Sequence, residues 1–425
     1  MRILQVVPYF QSVYAFGGPA KVAYQISREL AKRGHEVVVY TSDAKDLNLR
    51  IGKDTIDELE GIKVYYFRNI SMTLVKRLKL FITPQLASKI KKDIGNFDIV
   101  HLHEYRTFQN VIIHYYTKRH GVPYILQAHG SISRIGSWKK LKWICDVLFG
   151  RVLLRDASRV IALNSFEAEQ YRTMGVPEEK IAIIPNGIDL SEYANLPPKG
   201  SFKTKYNIPE DKKLILYLGR IHKTKGIDLL IKAYAHLKKK MGFEDAVLVI
   251  AGPDDGYLTE ARVLANSLDI ADSVMFTGFI SEEDKLKALV DAEVFVTPSF
   301  YGFPMTFLEA CATRTPIITT NLGDTLEWID GKAGYVTRPI PYDIAEAVYN
   351  IISDEALRGR FSENCTNIVR SNFSIENMVS KLEKVYKEVL ESRTYDSSYV
   401  CQRDFLHIGV HYGEVIYQKG YLLNE

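Results

Sequence analysis

Between Ala292 and Thr320 the order of residues leaves few folds open. Ala292-Glu-Val-Phe-Val-Thr297 is a largely apolar run, as expected of a strand covered on both faces of a parallel sheet. Pro298, Gly302 and Pro304 then permit a turn and nothing regular. After them Met305, Phe307, Leu308, Ala310, Cys311 and Ala312 are dense enough for a buried helix, with Pro304 placed in its first turn, where a missing N–H has no partner to lose. Pro316-Ile-Ile-Thr-Thr320 is the next strand. Strand, tight turn, helix and parallel strand form the repeating unit of an α/β sheet, whose ligands lie beyond the carboxyl ends of the strands. The N-terminus of such a helix offers free N–H groups and a positive dipole end to an anion such as phosphate. Glu309 is the one carboxylate in this helix, and hydrogen bonds from sugar hydroxyls would justify burying it.

The same unit recurs at both ends of the chain. Arg2 to Val7 reads as a buried strand, and Gly17-Gly18 opens a helix with Val22, Ile26 and Leu30 on one face. Gly34 closes that helix ahead of the strand Glu36-Val-Val-Val-Tyr-Thr41. Further strands are expected over 62–67, 97–103, 124–129, 159–164 and 181–185. Tyr193-Ala-Asn-Leu-Pro-Pro-Lys-Gly-Ser-Phe202 reads as a domain boundary, and the pattern restarts at Lys213-Leu-Ile-Leu-Tyr-Leu-Gly219. A length of 425 residues suits two such domains, each of roughly 150 to 200 residues.

Composition removes several classes of function. Lys and Arg total 55 against 51 Asp and Glu, and a net charge of +4 gives no reason to expect nucleic acid as a partner. No stretch supplies the ~18 uncharged apolar residues of a membrane span. The apolar start of the chain is too short for a signal peptide. Cys145, Cys311, Cys365 and Cys401 are far apart, which suits reduced thiols and a cytoplasmic protein.

The stretch from Thr297 to Thr313 resembles the Glu-x7-Glu segment of retaining glycosyltransferases with two Rossmann-like domains, the GT-B fold, in the glycogen-synthase/mannosyltransferase-like group (family 4 type). Glu309 matches the second Glu, which in that family accepts from the nucleotide ribose. The first Glu, nearer the donor sugar, is replaced by Tyr301. Gly219-Arg220 and Lys225-Gly226 reproduce the family's Gly-Arg…Lys-Gly element at its usual spacing, and His129-Gly130 resembles the His-Gly that approaches the donor sugar. Asn164-Ser-Phe-Glu167, Ile184-Pro-Asn-Gly-Ile-Asp189, Asn321-Leu-Gly-Asp-Thr-Leu-Glu327 and Gly331-Lys-Ala-Gly-Tyr335 add weaker matches, with Asp324 and Leu326 departing from the pattern. The likeness covers roughly residues 1–391.

What the resemblance implies is specific. The fold is α/β, two doubly wound parallel-sheet domains facing a cleft: residues 1–195 on the acceptor side, 203–374 on the nucleotide-sugar side, and a helix over 375–391 crossing back, while 393–425 carry no assignment. The reaction is transfer of a sugar from a nucleoside-diphosphate sugar with retention. Arg220 and Lys225 hold the diphosphate, Glu309 the ribose, and Tyr301, Gly302, Phe303, Pro304, Met305 and Thr306 line the sugar and phosphate. Gly17 and Gly18 allow close approach from the other domain, and His129 orients the sugar. No Asp-x-Asp occurs, so two cations and a helix N-terminus are expected to stabilise the leaving group with no metal or other cofactor. Glu309→Gln is expected to weaken donor binding and leave the fold intact. A non-catalytic nucleotide-sugar-binding partner subunit and a nucleotide-sugar epimerase or hydrolase are the competing functions.

Other features stay open at the level of sequence. His101 and His103 share a strand face, and with no third ligand in view they are expected to be satisfied histidines and not a metal site. Two segments, Met72 to Ile82 and Ser137 to Phe149, mix Lys and Arg with apolar residues. In the second, Trp138, Leu141, Ile144 and Leu148 fall at helical spacing beside Lys139, Lys140 and Lys142. This fits either an interfacial helix on anionic lipid or a surface helix packed on the core. The first option makes a peripheral position on the inner face of the cell membrane, and a lipid-linked or growing glycan acceptor, the expected partners.

Overall fold

A computed structural model describes residues 1–10, 18–46, 48–52, 56–133, 138–300, 303–320 and 326–393. Two sheets carry the architecture. The first contains β1 (Arg2–Val6), β2 (Glu36–Ser42), β3 (Ile56–Leu59), β4 (Ile62–Phe67), β5 (Ile99–His103), β6 (Tyr124–Gln127), β7 (Arg159–Ala162) and β8 (Ile181–Ile183), in the order β3-β4-β2-β1-β5-β6-β7-β8. The second contains β9 (Lys213–Leu218), β10 (Ala246–Ala251), β11 (Val274–Gly278), β12 (Ala292–Thr297), β13 (Ile317–Thr320) and β14 (Gly334–Thr337), in the order β11-β10-β9-β12-β13-β14. Every pairing is parallel except β3 with β4. The central strands are buried along their length, which is why they read as continuous apolar runs. In each sheet the chain reverses direction of travel beside its first strand, and the strand ends there open toward the other domain.

Six helices position the site. They are α1 (Gly18–Lys32), α2 (Met72–Leu78), α3 (Lys139–Cys145), α4 (Glu282–Asp291), α5 (Met305–Ala312) and α6, which spans residues 375–393. Helix α6 returns to the first domain. Arg33 Nη1 and His35 Nε2 reach Glu383 at 2.7 and 2.6 Å, and Tyr386 is buried under the first sheet. One apolar cluster therefore runs from Ile3, Val22 and Ile26 through Val379 and Leu382 to Phe295, Phe307 and Leu308.

The chain crosses between the domains at two places, and these are bonded together. Ile188 N donates to Phe373 O at 2.8 Å and Ile375 N to Ile188 O at 2.9 Å. A Cβ on Gly187 would lie 2.7 Å from Ser374 O, so only glycine allows this approach. That is the physical reason for glycine at position 187.

Several boundaries differ from the sequence reading. Strands β1, β6, β7, β8 and β9 end one to two residues early, which leaves His129 beyond β6 in a left-handed conformation (φ 54°). Pro304 is the residue before α5, extended at φ −67° and ψ 126°, because its ring fits the entry to the helix without entering it. The hairpin strand β3 and the edge strand β14 have no counterpart in the sequence reading. No described helix is long and apolar enough to cross a membrane. Gly17, Tyr301, Gly302, most of the Asn321–Glu327 motif and residues 394–425 lie outside the described residues.

Candidate active site

The second domain brings its predicted elements to one edge. Strands β9 and β12 are neighbours, so the loop carrying Arg220 and Lys225 emerges beside the loop that leads to α5. Two glycines make the contact close. A Cβ on Gly226 (φ 68°) would meet Pro298 Cβ at 3.0 Å, and one on Gly252 (φ 147°) would meet Gly219 O at 2.0 Å. Lys225 is half-buried, and burial, with Arg220 adding to it, pushes its ammonium down. The Arg220 side chain is 63% exposed and pairs with Asp255 at 2.5 Å. An exposed pair of this kind is worth little, so a phosphate can take the guanidinium at small cost. Phe303 lies against Trp328 and Phe373, and its carbonyl accepts from Asn186 Nδ2 of the first domain at 3.2 Å. The start of α5 faces α1, since a Cβ on Gly18 would be 3.5 Å from Met305 Cγ.

Glu309 has partners that sequence reasoning missed. Its Oε1 accepts from Lys285 Nζ of α4 at 2.9 Å and from Lys21 Nζ of α1 at 3.0 Å. Lys21 also approaches Glu192 at 3.4 Å, and Lys285 pairs with Glu282 at 2.6 Å. Five alternating charges thus run from the first domain into the second. Burial pushes the Glu309 carboxyl up, but Lys285 and Lys21 outweigh it and hold it at about 2. Both recorded bonds fall on Oε1, which leaves Oε2 as the oxygen able to take further donors. The signal for Lys21 was faint: a lone charge between Ala20 and Val22 on the buried side of an amphipathic helix.

In the first domain, His129 Nε2 lies 2.9 Å from His103 Nδ1, and the two rings stack with centroids 5.2 Å apart. His103 Nε2 meets Gln5 Oε1 at 2.7 Å. His101 stacks on His103 at 4.2 Å, and its Nδ1 meets the Tyr386 hydroxyl at 2.8 Å. Burial holds His101 and His129 near 3 and His103 well below its ordinary value, so all three rings are neutral. The expectation of satisfied histidines is met at His103, which is bonded through both ring nitrogens, and in part at His101, which is bonded through Nδ1, and His129 joins them. A polar Gln5 inside an otherwise apolar β1 was the signal available for this network. Beside it, Glu104 (φ 65°) accepts from the Tyr9 hydroxyl at 2.9 Å, and burial raises its carboxyl to about 7 against hydrogen bonds from Tyr9 and Ser131. None of the recorded partners of His129 belongs to the second domain.

The two basic apolar segments part company. Helix α2 ends at Lys79, whose ammonium is pushed down by burial and then by Arg220 of the opposite domain, so this segment borders the cleft. Helix α3 buries none of its residues. Trp138 and Leu148 are 61% and 71% exposed, and Leu141, Trp143, Ile144 and Val147 are exposed with them. The stripe is not packed on the core. The helix is anchored instead by Asp146, which binds Arg106 at 2.7 Å, while Arg106 also donates to the carbonyls of Ser131 and Ile132, just after His129-Gly130.

Comparison with known proteins agrees along both halves of the chain. Residues 16–192 match the family model described as Glycosyltransferase Family 4, and residues 199–367 match Glycosyl transferases group 1. An uncharacterized glycosyltransferase of Methanocaldococcus jannaschii is 28% identical over 389 residues, 88% of this chain and 95% of the relative. The phosphatidyl-myo-inositol mannosyltransferase of Mycolicibacterium smegmatis is 24% identical over 405 residues, 92% of this chain and 94% of the relative. Among solved structures, Anabaena HepE in complex with UDP-glucose superposes with a TM-score of 0.72 at 18% identity, covering 91% of this chain and all of its own. Matched in sequence on both sides of the cleft and folded like these neighbours, the chain belongs to the glycosyltransferases of the family 4 type and has the GT-B fold.

Proposed function

We propose that this protein transfers a sugar from a nucleoside-diphosphate sugar to a lipid-linked acceptor, with retention at the anomeric carbon and without a divalent metal. One observation supports the reading: the loop bearing Arg220 and Lys225 packs through Gly226 on Pro298 where β9 and β12 lie side by side, and α5, which follows, meets Gly18 and buries Glu309 against Lys21 of the other domain. In this scheme the guanidinium and ammonium take the diphosphate oxygens, and the α5 N-terminus adds its dipole. Glu309 Oε2 accepts from the ribose. As the bond from the anomeric carbon to phosphate oxygen lengthens, charge grows on the leaving group where these cations already stand. His129 meets a sugar hydroxyl. The leaving phosphate takes the proton of the incoming hydroxyl on the same face, so no protein nucleophile is required. The UDP-glucose bound to the HepE neighbour supports a nucleotide-sugar donor, and the exposed Trp138–Leu148 surface with its lysines supports a membrane-borne acceptor.

The donor half is tested by thermal shift with UDP- and GDP-sugars, since a ligand of the native state raises Tm. At least one is expected to raise it, and no shift with any of them overturns the donor assignment. Turnover should then fall at least about a hundredfold in Arg220→Ala and in Lys225→Ala, the scale of a lost charge-stabilising contact, and persist in EDTA. Binding without product would mark the protein as a partner subunit. The anomeric configuration of the first product, read by NMR, decides retention.

A further inference from the structure

We propose that Gln5, His103 and Tyr386 are positioning residues that fix His129 in a single tautomer, protonated at Nε2 and presenting Nδ1 as a hydrogen-bond acceptor to the donor sugar. The functional part of this inference rests on the role given to His129 above.

The proton count begins at Tyr386. Its hydroxyl has one proton and two neighbours, His101 Nδ1 at 2.8 Å and Gln5 Nε2 at 3.5 Å. An amide nitrogen only donates, so the hydroxyl accepts from Gln5, and its proton or its second lone pair meets His101 Nδ1. That turns Gln5 Oε1 toward His103 Nε2, 2.7 Å away, which must then carry the proton. A neutral imidazole has one N–H, so His103 Nδ1 is a lone pair and His129 Nε2, at 2.9 Å, is its donor. His129 Nδ1 is left as an acceptor. It is buried and has no hydrogen-bond partner among the described residues, a state that costs free energy until a donor arrives.

Two consequences follow for the ligand. The group that meets His129 Nδ1 must be a hydroxyl able to donate; a phosphate oxygen or a carboxylate would face a lone pair. The residue that sets this preference, Tyr386, comes from α6, the helix that crosses back from the second domain, and its orientation reaches the site through the interior of β1 and β5.

The test is 15N NMR of the full chain labelled at its ten histidines, with the His129 signals identified by their loss in His129→Gln. The expected result in the wild-type protein is an unprotonated Nδ1 and a protonated Nε2, unchanged from pH 8 down to about 5, where a free histidine would already be charged. A protonated Nδ1, or a His129 that titrates in this range, overturns the proposal. In Tyr386→Phe the Gln5 amide loses its fixed orientation. His129 should then show both tautomers, and turnover should fall about tenfold, the low end of what losing an orienting partner costs a ligating histidine, with the donor KM unchanged. A folded Tyr386→Phe with a wild-type His129 spectrum also overturns it, and if that variant does not fold, the wild-type spectrum still decides. The spectrum is recorded on the free protein, so failure of every nucleotide sugar to react counts against the reaction and leaves the tautomer result standing.

Discussion

Glu309 is buried in α5 between Lys21 and Lys285, and these neighbours change what a substitution there would report. Glu309→Gln leaves the buried Lys21 and the half-buried Lys285 ammonium groups side by side, and breaking a buried ion pair on one side typically costs about 3 to 5 kcal/mol. The expectation of an intact fold with weaker binding therefore gives way to a joint effect. Glu309→Gln should lower Tm sharply, and adding Lys21→Met should restore part of it, which a double-mutant cycle by denaturant unfolding would show as a coupling of the two sites. Additive losses would mean that the cross-domain pair carries no energy. The carboxyl's folded value of about 2 lies below its ordinary 4.5, so the stability it contributes is complete above pH 4.5 and is lost as pH falls through 2. Glu104 has the opposite sign. Its folded value of about 7 lies above the ordinary 4.5, so its contribution is complete below pH 4.5 and is lost as pH rises through 7. Its partners are the Tyr9 hydroxyl and Ser131, with no cation among them to offset the charge. Glu104→Gln should flatten the fall in Tm between those pH values, and an unchanged pH profile would show that the group does not titrate there.

Among the elements, legibility followed burial. Strands covered on both faces announced themselves as apolar runs, and the helices between them by their spacing. Strand β3, Ile-Asp-Glu-Leu, is exposed along most of its length and pairs on one side only, so it left no such pattern. Lys21 and Glu309 are 288 positions apart, and no local rule relates them. The Gly-Arg…Lys-Gly loop was readable because its spacing is local. For α3 the periodicity was correct and silent on direction, because a stripe looks the same whether it faces a core or solvent. The structure shows it exposed, and charge then makes a prediction. In co-sedimentation with anionic vesicles the protein should bind at low salt and release as salt rises, and Lys139→Glu/Lys140→Glu should weaken binding by a few kcal/mol, each of these lysines being worth about 1 before reversal. Equal binding to neutral vesicles would remove the role of charge, and no binding to either would remove the membrane surface as a partner.

At the scale of the whole molecule, the paired crossings at residues 186–189 and 373–375 govern how the two domains can move. Two separate linkers would let one domain slide, tilt or twist against the other. Stitched together by backbone hydrogen bonds, they are expected to act as an axle that leaves mainly a single angle free. Gly187→Ala drives a methyl into Ser374 O and should shift that angle, visible as a change in radius of gyration by solution scattering while each sheet keeps its circular dichroism. An unchanged scattering curve in a folded variant would show that the approach is dispensable. Under such a constraint a donor bound only to the second domain has one coordinate left to adjust against the first. On the proposed function, the fit between sugar, diphosphate and acceptor would then be set less by many independent contacts than by where that one rotation comes to rest.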